Sequence, residues 1–234
     1  MRTRHTSSRI IVMMTLIAAG EAIFFLPFVV ARIFRPTVLD VFGLTNLQLG
    51  TAFSLYGIVA MLSYFAGGPL ADRYSARRLM TSALVATSAG GFIYAASPSL
   101  GVLTLLYGFW GMTTILLFWA ALIRATREWG GDATQGRAFG FLDGGRGLFA
   151  AILASLSVVV LASLLPADVA SATLGERTAA LNRIIWLFTA LVLGVAALVW
   201  FIVPEPQLEQ GDRSDTTTSF TLKGMRKVVS MRKV

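Results

Sequence analysis

Long apolar runs alternate with short polar and basic segments along most of this chain. We place six such runs, at residues 10–33, 47–67, 79–96, 100–123, 138–165 and 184–203. An apolar helix of about 20 residues crosses the roughly 30 Å hydrocarbon core of a bilayer. Because backbone polar groups find no water in that core, each run must satisfy its own hydrogen bonds as a helix. The pattern therefore predicts an all-α, polytopic membrane protein with six transmembrane helices.

The composition agrees with a membrane protein and argues against several other classes. The 234 residues are 56% hydrophobic and only 14% charged, whereas charged residues make up about 25% of soluble domains. The net charge of +8 is typical of nucleic-acid binding, but the basic residues lie in short segments between the apolar runs, so we expect no nucleic-acid partner. There is no cysteine, and the only histidine is His5, so we expect no metal site and no cofactor.

The distribution of lysine and arginine predicts the orientation of the bundle. These residues concentrate before the first run, between the second and third runs, between the fourth and fifth runs, and in the C-terminal tail. Cytoplasmic segments of membrane proteins carry an excess of Lys and Arg. We therefore expect both termini in the cytoplasm (N-in/C-in) and a multi-pass location in the lipid bilayer of the inner or plasma membrane.

The chain changes character after the last apolar run, which predicts two regions. Residues 1–203 are predicted to form the transmembrane bundle, and residues 204–234 a cytoplasmic linker. Residues 205–219 are polar, and apolar and basic residues interleave from Phe220 onward. That last segment fits either a basic amphipathic helix on an anionic membrane surface or a disordered basic tail.

The junction of the second and third runs is the most distinctive motif. Residues 67–78 read GGPLADRYSARR and are predicted to form a tight, charged turn. This turn resembles the loop between helices 2 and 3 of the major facilitator superfamily, whose pattern is G-x-L-A-D-R-x-G-R-K. The segment with REW at 127–129 and QGRAFG at 135–140 is similar to the family's connection between helices 4 and 5. The resemblance covers about residues 10–203.

The resemblance implies a fold, a mechanism and a partner. The chain looks like the N-terminal six-helix half of a secondary transporter, in which two halves rock around a midplane site by alternating access, without enzymatic chemistry. The second six-helix half, or a partner chain, would then be missing, so we expect a fragment or a half-size transporter that pairs. The resemblance also assigns a gating role to the turn; the alternative is a charged stop that only fixes topology. The residues concerned are Gly68, Asp72, Arg73 and Arg77.

A narrower resemblance bears on the substrate. Residues 54–58 and 72–77 are weakly similar to the S-x-Y-S-I and D-R-S-N-P-R patterns of the organophosphate:phosphate antiporter group. The arginine which that group carries on helix 1 falls near Val29 here, and its helix 2 lysine aligns with Tyr64. The resemblance therefore implies an organic anion but does not carry over the residues that bind a phosphate ester.

Glu21 is a carboxylate within the first apolar run. It lies about 18 Å from Arg9 at 1.5 Å per residue, near the bilayer midplane. Placing a charged group there costs about 2.5–3.5 kcal/mol or more, so Glu21 should face the bundle interior or a water-filled cavity. Two interpretations follow: a coupling or substrate site for a proton, a cation or an amine, or a hydrogen-bonded packing residue.

Asp143 and Arg146 share one face of the fifth run, because residues three apart on a helix are neighbours. They could neutralise each other in part. Alternatively, Asp143 contacts the arginines between the second and third runs as part of the gate, while Arg146 points into the cavity toward an anionic substrate. We also assign substrate contact to three aromatic residues, for which packing or lipid contact is the alternative: Tyr56, Trp110 and Trp119.

Three classes of function can be weighed on this basis. We expect a transporter for a small organic anion or a sugar-like solute, coupled to protons or to an anion. The alternative is a non-transporting membrane receptor or assembly subunit that uses the basic tail for contact. An enzyme is not expected, because Asp72, Glu128 and Asp132 are accompanied by no nucleophile–base pair or metal-ligand spacing.

Overall fold

The computed structural model describes residues 2–166 and 171–205, with side chains from residue 9 onward. Every regular element in these residues is helical. By its internal contacts the chain divides into residues 1–204 and residues 205–234. The predicted amphipathic segment that follows Phe220 lies outside the described residues.

Nine α-helices and two π-helical segments make up the described part of the bundle. The π-helical segments are Phe25–Val29 and Met112–Trp119. The α-helices are α1 (Arg2–Ala22), α2 (Val30–Ile33), α3 (Arg35–Phe42), α4 (Asn46–Arg73), α5 (Ala76–Ala95), α6 (Leu100–Gly111), α7 (Ala120–Gly130), α8 (Gln135–Leu164) and α9 (Leu174–Ile202).

Four helices of the described chain are long and apolar enough to cross a membrane. They are α4, the continuous helix Leu100–Gly130, α8 and α9. A fifth span forms if Arg9–Ala22 and Phe25–Ile33, which are bent by 40° at their junction, count as one. The remaining predicted span, at 79–96, corresponds to α5. Many of its buried residues are small or polar (Thr87, Ser88 and Gly91 among them), because α5 packs against other helices in the bundle.

The first predicted run is not one straight helix. α1 ends at Ala22, and the chain continues as a π-helical segment that contains the buried Pro27. Proline lacks the N–H that an α-helix needs at that point, and its ring crowds the preceding turn. Glu21 is the second-to-last residue of α1, so this carboxylate lies next to the bend in the span.

Most of the turn predicted at residues 67–78 is helical in the structure. α4 continues through Pro69 and ends only at Arg73. Pro69 removes one hydrogen bond, but Tyr74 N donates to Leu70 O at 3.1 Å and completes the last turn. The connection to α5 is therefore short, and Ser75 caps α5 by accepting from Arg78 N. Gly68 and Asp72 lie on helix, not on loop.

Reciprocal capping fixes the start of two long helices. Thr45 Oγ1 accepts from Gln48 N at 3.2 Å, while Gln48 Oε1 accepts from Thr45 N at 2.8 Å. Thr173 and Glu176 form the same capping box at α9, which satisfies backbone donors that a helix start leaves open. α9 thus begins at Leu174, well before the predicted start of the sixth run at residue 184.

α4 and the α6 helix approach closely at Gly111. A Cβ at this position would stand 2.6 Å from the carbonyl oxygen of Tyr56, a backbone atom that cannot move aside. Small residues allow membrane helices such close backbone contact.

The long α8 is the least covered helix of the bundle. Ala138, Leu142 and Ser157 are its fully buried residues. Its exposed side chains include Leu148, Leu156 and Val159, and α4 likewise exposes Met61 and Phe65. These two apolar surfaces face away from the described helices.

Candidate functional site

Arg146 lies at the centre of a group of charged and aromatic side chains. It projects from α8 toward the end of α1, where its Nε donates to Gly20 O at 3.1 Å. Nη2 lies 3.8 Å from Oε2 of Glu21, and Nη1 lies 3.4 Å from Oδ1 of Asp143. The side chains of Arg146 and Glu21 are largely buried, whereas that of Asp143 is exposed. One guanidinium therefore joins two carboxylates from different helices.

Two small residues let the Arg146 side chain reach α1. A Cβ at Gly20 would stand 2.8 Å from Cδ of Arg146, so glycine leaves the space that the arginine stem occupies. A Cβ at Gly145 would collide with the Ile17 side chain, so that glycine allows α8 to pack against α1. Sequence reasoning did not single out Gly20.

Aromatic rings flank the guanidinium. Its Cζ lies 5.3 Å from the ring centroid of Trp119 and 6.0 Å from that of Phe24, within the range of cation–π attraction. The two rings lie 6.3 Å apart. Trp119 ends one π-helical segment and Phe24 directly precedes the other, and π-helical turns occur frequently at functional sites.

Tyr56 is joined to this group through Phe28. The Phe28 ring lies 6.1 Å from Phe24 and meets Tyr56 edge to face at 4.7 Å. The Tyr56 hydroxyl shares a hydrogen bond of 2.8 Å with Thr114 Oγ1. Phe24, Phe28 and Trp119 are each only partly buried, so each residue keeps some exposed surface.

Trp110 lies outside the group around Arg146. It is 0% exposed, and its Nε1 donates to Thr87 O at 3.0 Å. Its ring packs edge to face against Tyr94 and Tyr107. The structure therefore brings Glu21, Trp119 and Arg146 together and leaves Trp110 in the packed interior. Tyr56 is connected to them through the rings of Phe28 and Phe24.

The proposed gating residues lie at the end of α4 and the start of α5. The Arg73 guanidinium lies 5.9 Å from the ring of Tyr74, and that of Arg77 lies 5.1 Å from the ring of Trp200 on α9. Asp72 is exposed. Asp143, the fifth residue assigned to the gate, lies on α8, where its Oδ1 is 3.4 Å from Nη1 of Arg146.

Arg124 is a contact that sequence reasoning missed. Its Nη1 donates to Ala71 O at 2.6 Å and to Tyr74 O at 3.5 Å, while its Nε pairs with Glu128 at 2.7 Å. Arg124 therefore connects α7 to the end of α4. Sequence reasoning counted Arg124 only among the basic residues that fix the topology, because nothing in the local pattern indicates its contact with α4.

The described residues hold no group of three or more His, Cys, Asp or Glu side chains that could bind a metal ion.

A bundle of membrane-spanning helices with a partly buried ion pair and facing aromatic rings is the architecture of a polytopic membrane protein with an internal polar site. The family model of the Major Facilitator Superfamily matches residues 10–233. The chain belongs to this superfamily.

The chain is also similar to three curated proteins. Inner membrane protein YqcE of Escherichia coli K12 is 26% identical over 94% of this chain and 49% of its own length. Inner membrane protein YihN of the same organism is 26% identical over 86% of this chain and 47% of its own length. An uncharacterized MG294 homolog of Mycoplasma pneumoniae is 28% identical over 73% of this chain and 38% of its own length.

This chain spans about half the length of the first two relatives. No solved structure matches it. The resemblance to the organophosphate:phosphate antiporter group is not confirmed by these matches.

Proposed function

We propose that this chain forms one half of an alternating-access secondary transporter for a small organic anion, with Arg146 as the anion-binding group. The observation that carries the proposal is the Arg146 guanidinium, which is partly buried between Glu21 and the ring of Trp119. A charged group within an apolar span is costly, and such groups mark substrate or ion pathways. A planar guanidinium suits a carboxylate, which it can bind through two parallel hydrogen bonds.

Glu21 is proposed as the coupling group. Its 3.8 Å separation from Arg146 Nη2 is an ion pair longer than a hydrogen bond. A solute carboxylate that binds Arg146 competes with Glu21 for the same donor. Protonation of Glu21 removes this competition, so proton binding and anion binding favour each other. A sugar-like solute is the second substrate class, for which the Trp119 ring offers a stacking surface.

The topology is proposed to be six spans with both termini in the cytoplasm. The bent pair of α1 and Phe25–Ile33 would form the first span, and α5 the third, shielded from lipid by its neighbours. The excess of Lys and Arg at one end of the bundle supports this orientation. The names of the two Escherichia coli relatives support an inner-membrane location.

A second six-helix half is proposed to cover the open faces of α4 and α8. It would come from the rest of a longer protein or from a partner chain. The uncovered apolar side chains of these helices, such as Phe65 and Leu148, support this proposal. The exposed Asp72 would then stand at the junction of the halves, where the end of α4 could favour one access state.

Uptake into vesicles tests the proposal. The protein encoded by the whole open reading frame is reconstituted in proteoliposomes, and uptake of labelled succinate, gluconate and glucose is measured with and without an inward proton gradient. Gradient-dependent uptake of an acid, saturable and lost in Arg146→Ala, supports the proposal. Folded protein that takes up none of these solutes contradicts it and favours the non-transporting receptor or assembly subunit.

A further inference from the structure

A cleft lies at the end of the bundle where α1, α7 and α8 meet, away from the Arg146 site. Its volume is about 340 Å³. Its lining comes from the start of the first span, the end of α7 and the start of α8. The lining residues are Arg9, Ile10, Trp129, Thr134, Arg137 and Phe141.

Arg9 is fixed in this cleft by Trp129. Arg9 Nη2 donates to Trp129 O at 2.7 Å, and Trp129 Nε1 donates in return to Arg9 O at 2.7 Å. The guanidinium also lies 5.1 Å from the indole ring. A guanidinium has five N–H donors, and the bond to Trp129 uses one of them. Among the described residues no other group is bonded to the Arg9 side chain, so its remaining donors can bind a ligand, on an arginine that Trp129 already holds in place.

Arg137 supplies a second positive charge. It is exposed, and within the described chain no carboxylate or carbonyl is bonded to it. None of the residues that line the cleft is acidic. Two guanidinium groups therefore face one cavity without a carboxylate in it, which favours an anion.

The apolar side of the cleft restricts the kind of anion. Ile10 and Phe141 lie beside the two arginines and are 57% and 54% exposed. Each belongs to an apolar run that enters the membrane, one on α1 and one on α8. A free inorganic anion would make no use of these side chains, whereas a lipid presents a charged headgroup and an acyl chain together.

We propose that this cleft binds an anionic phospholipid, with its phosphate between Arg9 and Arg137 and an acyl chain along Ile10 and Phe141. Basic pockets between membrane helices bind the headgroups of anionic lipids. The bound lipid would join the start of α1 to the connection between α7 and α8. Lipid binding at this cleft needs no transported solute, so it can be tested independently of the proposed transport.

Native mass spectrometry of the full chain in a neutral detergent tests the site. Phosphatidylglycerol is titrated against phosphatidylcholine of the same acyl chains. We expect a bound phosphatidylglycerol that phosphatidylcholine does not replace. Arg137→Gln should weaken its binding about fivefold, which corresponds to the contribution of one basic residue at an anionic membrane surface. Arg137 has no described protein partner, so this variant should retain the fold.

Arg127→Gln is the matched control, because it removes the same charge from an exposed position on α7 that does not line the cleft. It should leave phosphatidylglycerol affinity within about twofold, since a charge outside the cleft contributes only screened attraction. Equal weakening by both variants would overturn the site in favour of diffuse surface charge. If inorganic phosphate raised the unfolding temperature as much as phosphatidylglycerol does, the cleft would bind a free anion, and the proposal of a phospholipid ligand would be wrong.

Discussion

The guanidinium of Arg124 donates a 2.6 Å hydrogen bond to the backbone carbonyl of Ala71, across two helices that are far apart in the chain. The same side chain reaches Tyr74 O at 3.5 Å. Carbonyls in the last turn of a helix lack partners within that helix. Arg124 therefore completes the end of α4, which is the segment that carries Asp72 and Arg73.

Arg124→Gln should lower the free energy of unfolding by about 1–3 kcal/mol, because the Ala71 carbonyl loses a charged donor in a partly buried place. Glu128→Gln is the control, since it removes only the more exposed ion pair, a loss of less than about 1 kcal/mol. Chemical denaturation of the purified protein in detergent measures both. Equal losses would mean that the Arg124–Glu128 pair, not the contact with α4, carries the stabilisation.

The sequence could predict which charges are unusual but not which of them meet. Glu21 and Arg146 stand out because a charge within an apolar run is costly. Nothing in the local pattern indicates that they pair, since that depends on the packing of α1 against α8 at Gly20 and Gly145. Arg124 lies at the edge of its run, where a basic residue is ordinary, so its contact with Ala71 was not predictable.

Trp110 and Trp119 illustrate a second limit. Both lie in one apolar run, and their separation puts them on opposite faces of a helix with 3.6 residues per turn. Helical periodicity can therefore show that only one of them faces a given neighbour. It cannot show which face is inward in a helix that is apolar all round, and the π-helical segment Met112–Trp119 changes the rotation between them.

The close approach of α4 to Gly111 gives a prediction about packing. Gly111→Ala should destabilise the protein by about 1–3 kcal/mol, because the new methyl group meets the backbone oxygen of Tyr56. Gly101→Ala on the same helix α6 is the control, since no atom lies within 4 Å of the added Cβ. Unfolding temperature in detergent distinguishes them. If both substitutions were neutral, the two helices would not be held at this distance.

Glu21→Gln tests the coupling role. Glutamine keeps the size of the side chain but loses the negative charge that faces Arg146 and the ability to release a proton. We expect the variant to exchange solute across the vesicle membrane, while an inward proton gradient no longer increases accumulation. Glu128→Gln, an exposed acid outside the site, should retain gradient-driven accumulation. If Glu21→Gln left both uptake and its pH dependence intact, the coupling role would be excluded.

Arg146→Lys separates recognition from folding at the proposed anion site. Lysine keeps the positive charge beside Glu21 and Asp143, so the protein should insert and fold. It loses the planar fork that can bind a carboxylate through two parallel hydrogen bonds, and its compact ammonium cannot stack on Trp119 as a guanidinium does. Losing one charge-assisted hydrogen bond of about 1.5–3 kcal/mol should raise the half-saturation concentration for an organic anion roughly 10- to 100-fold.

The measurement is saturable uptake into proteoliposomes, with unfolding temperature recorded on the same preparations. Arg127→Lys serves as the matched control, because Arg127 is exposed on α7 and does not contact Arg146 or its partners. It should change neither value. A recognition role requires uptake to fall while the unfolding temperature stays near that of the wild type. If the Arg146→Lys protein lost stability and uptake in parallel, Arg146 would hold α8 to α1 rather than bind the solute.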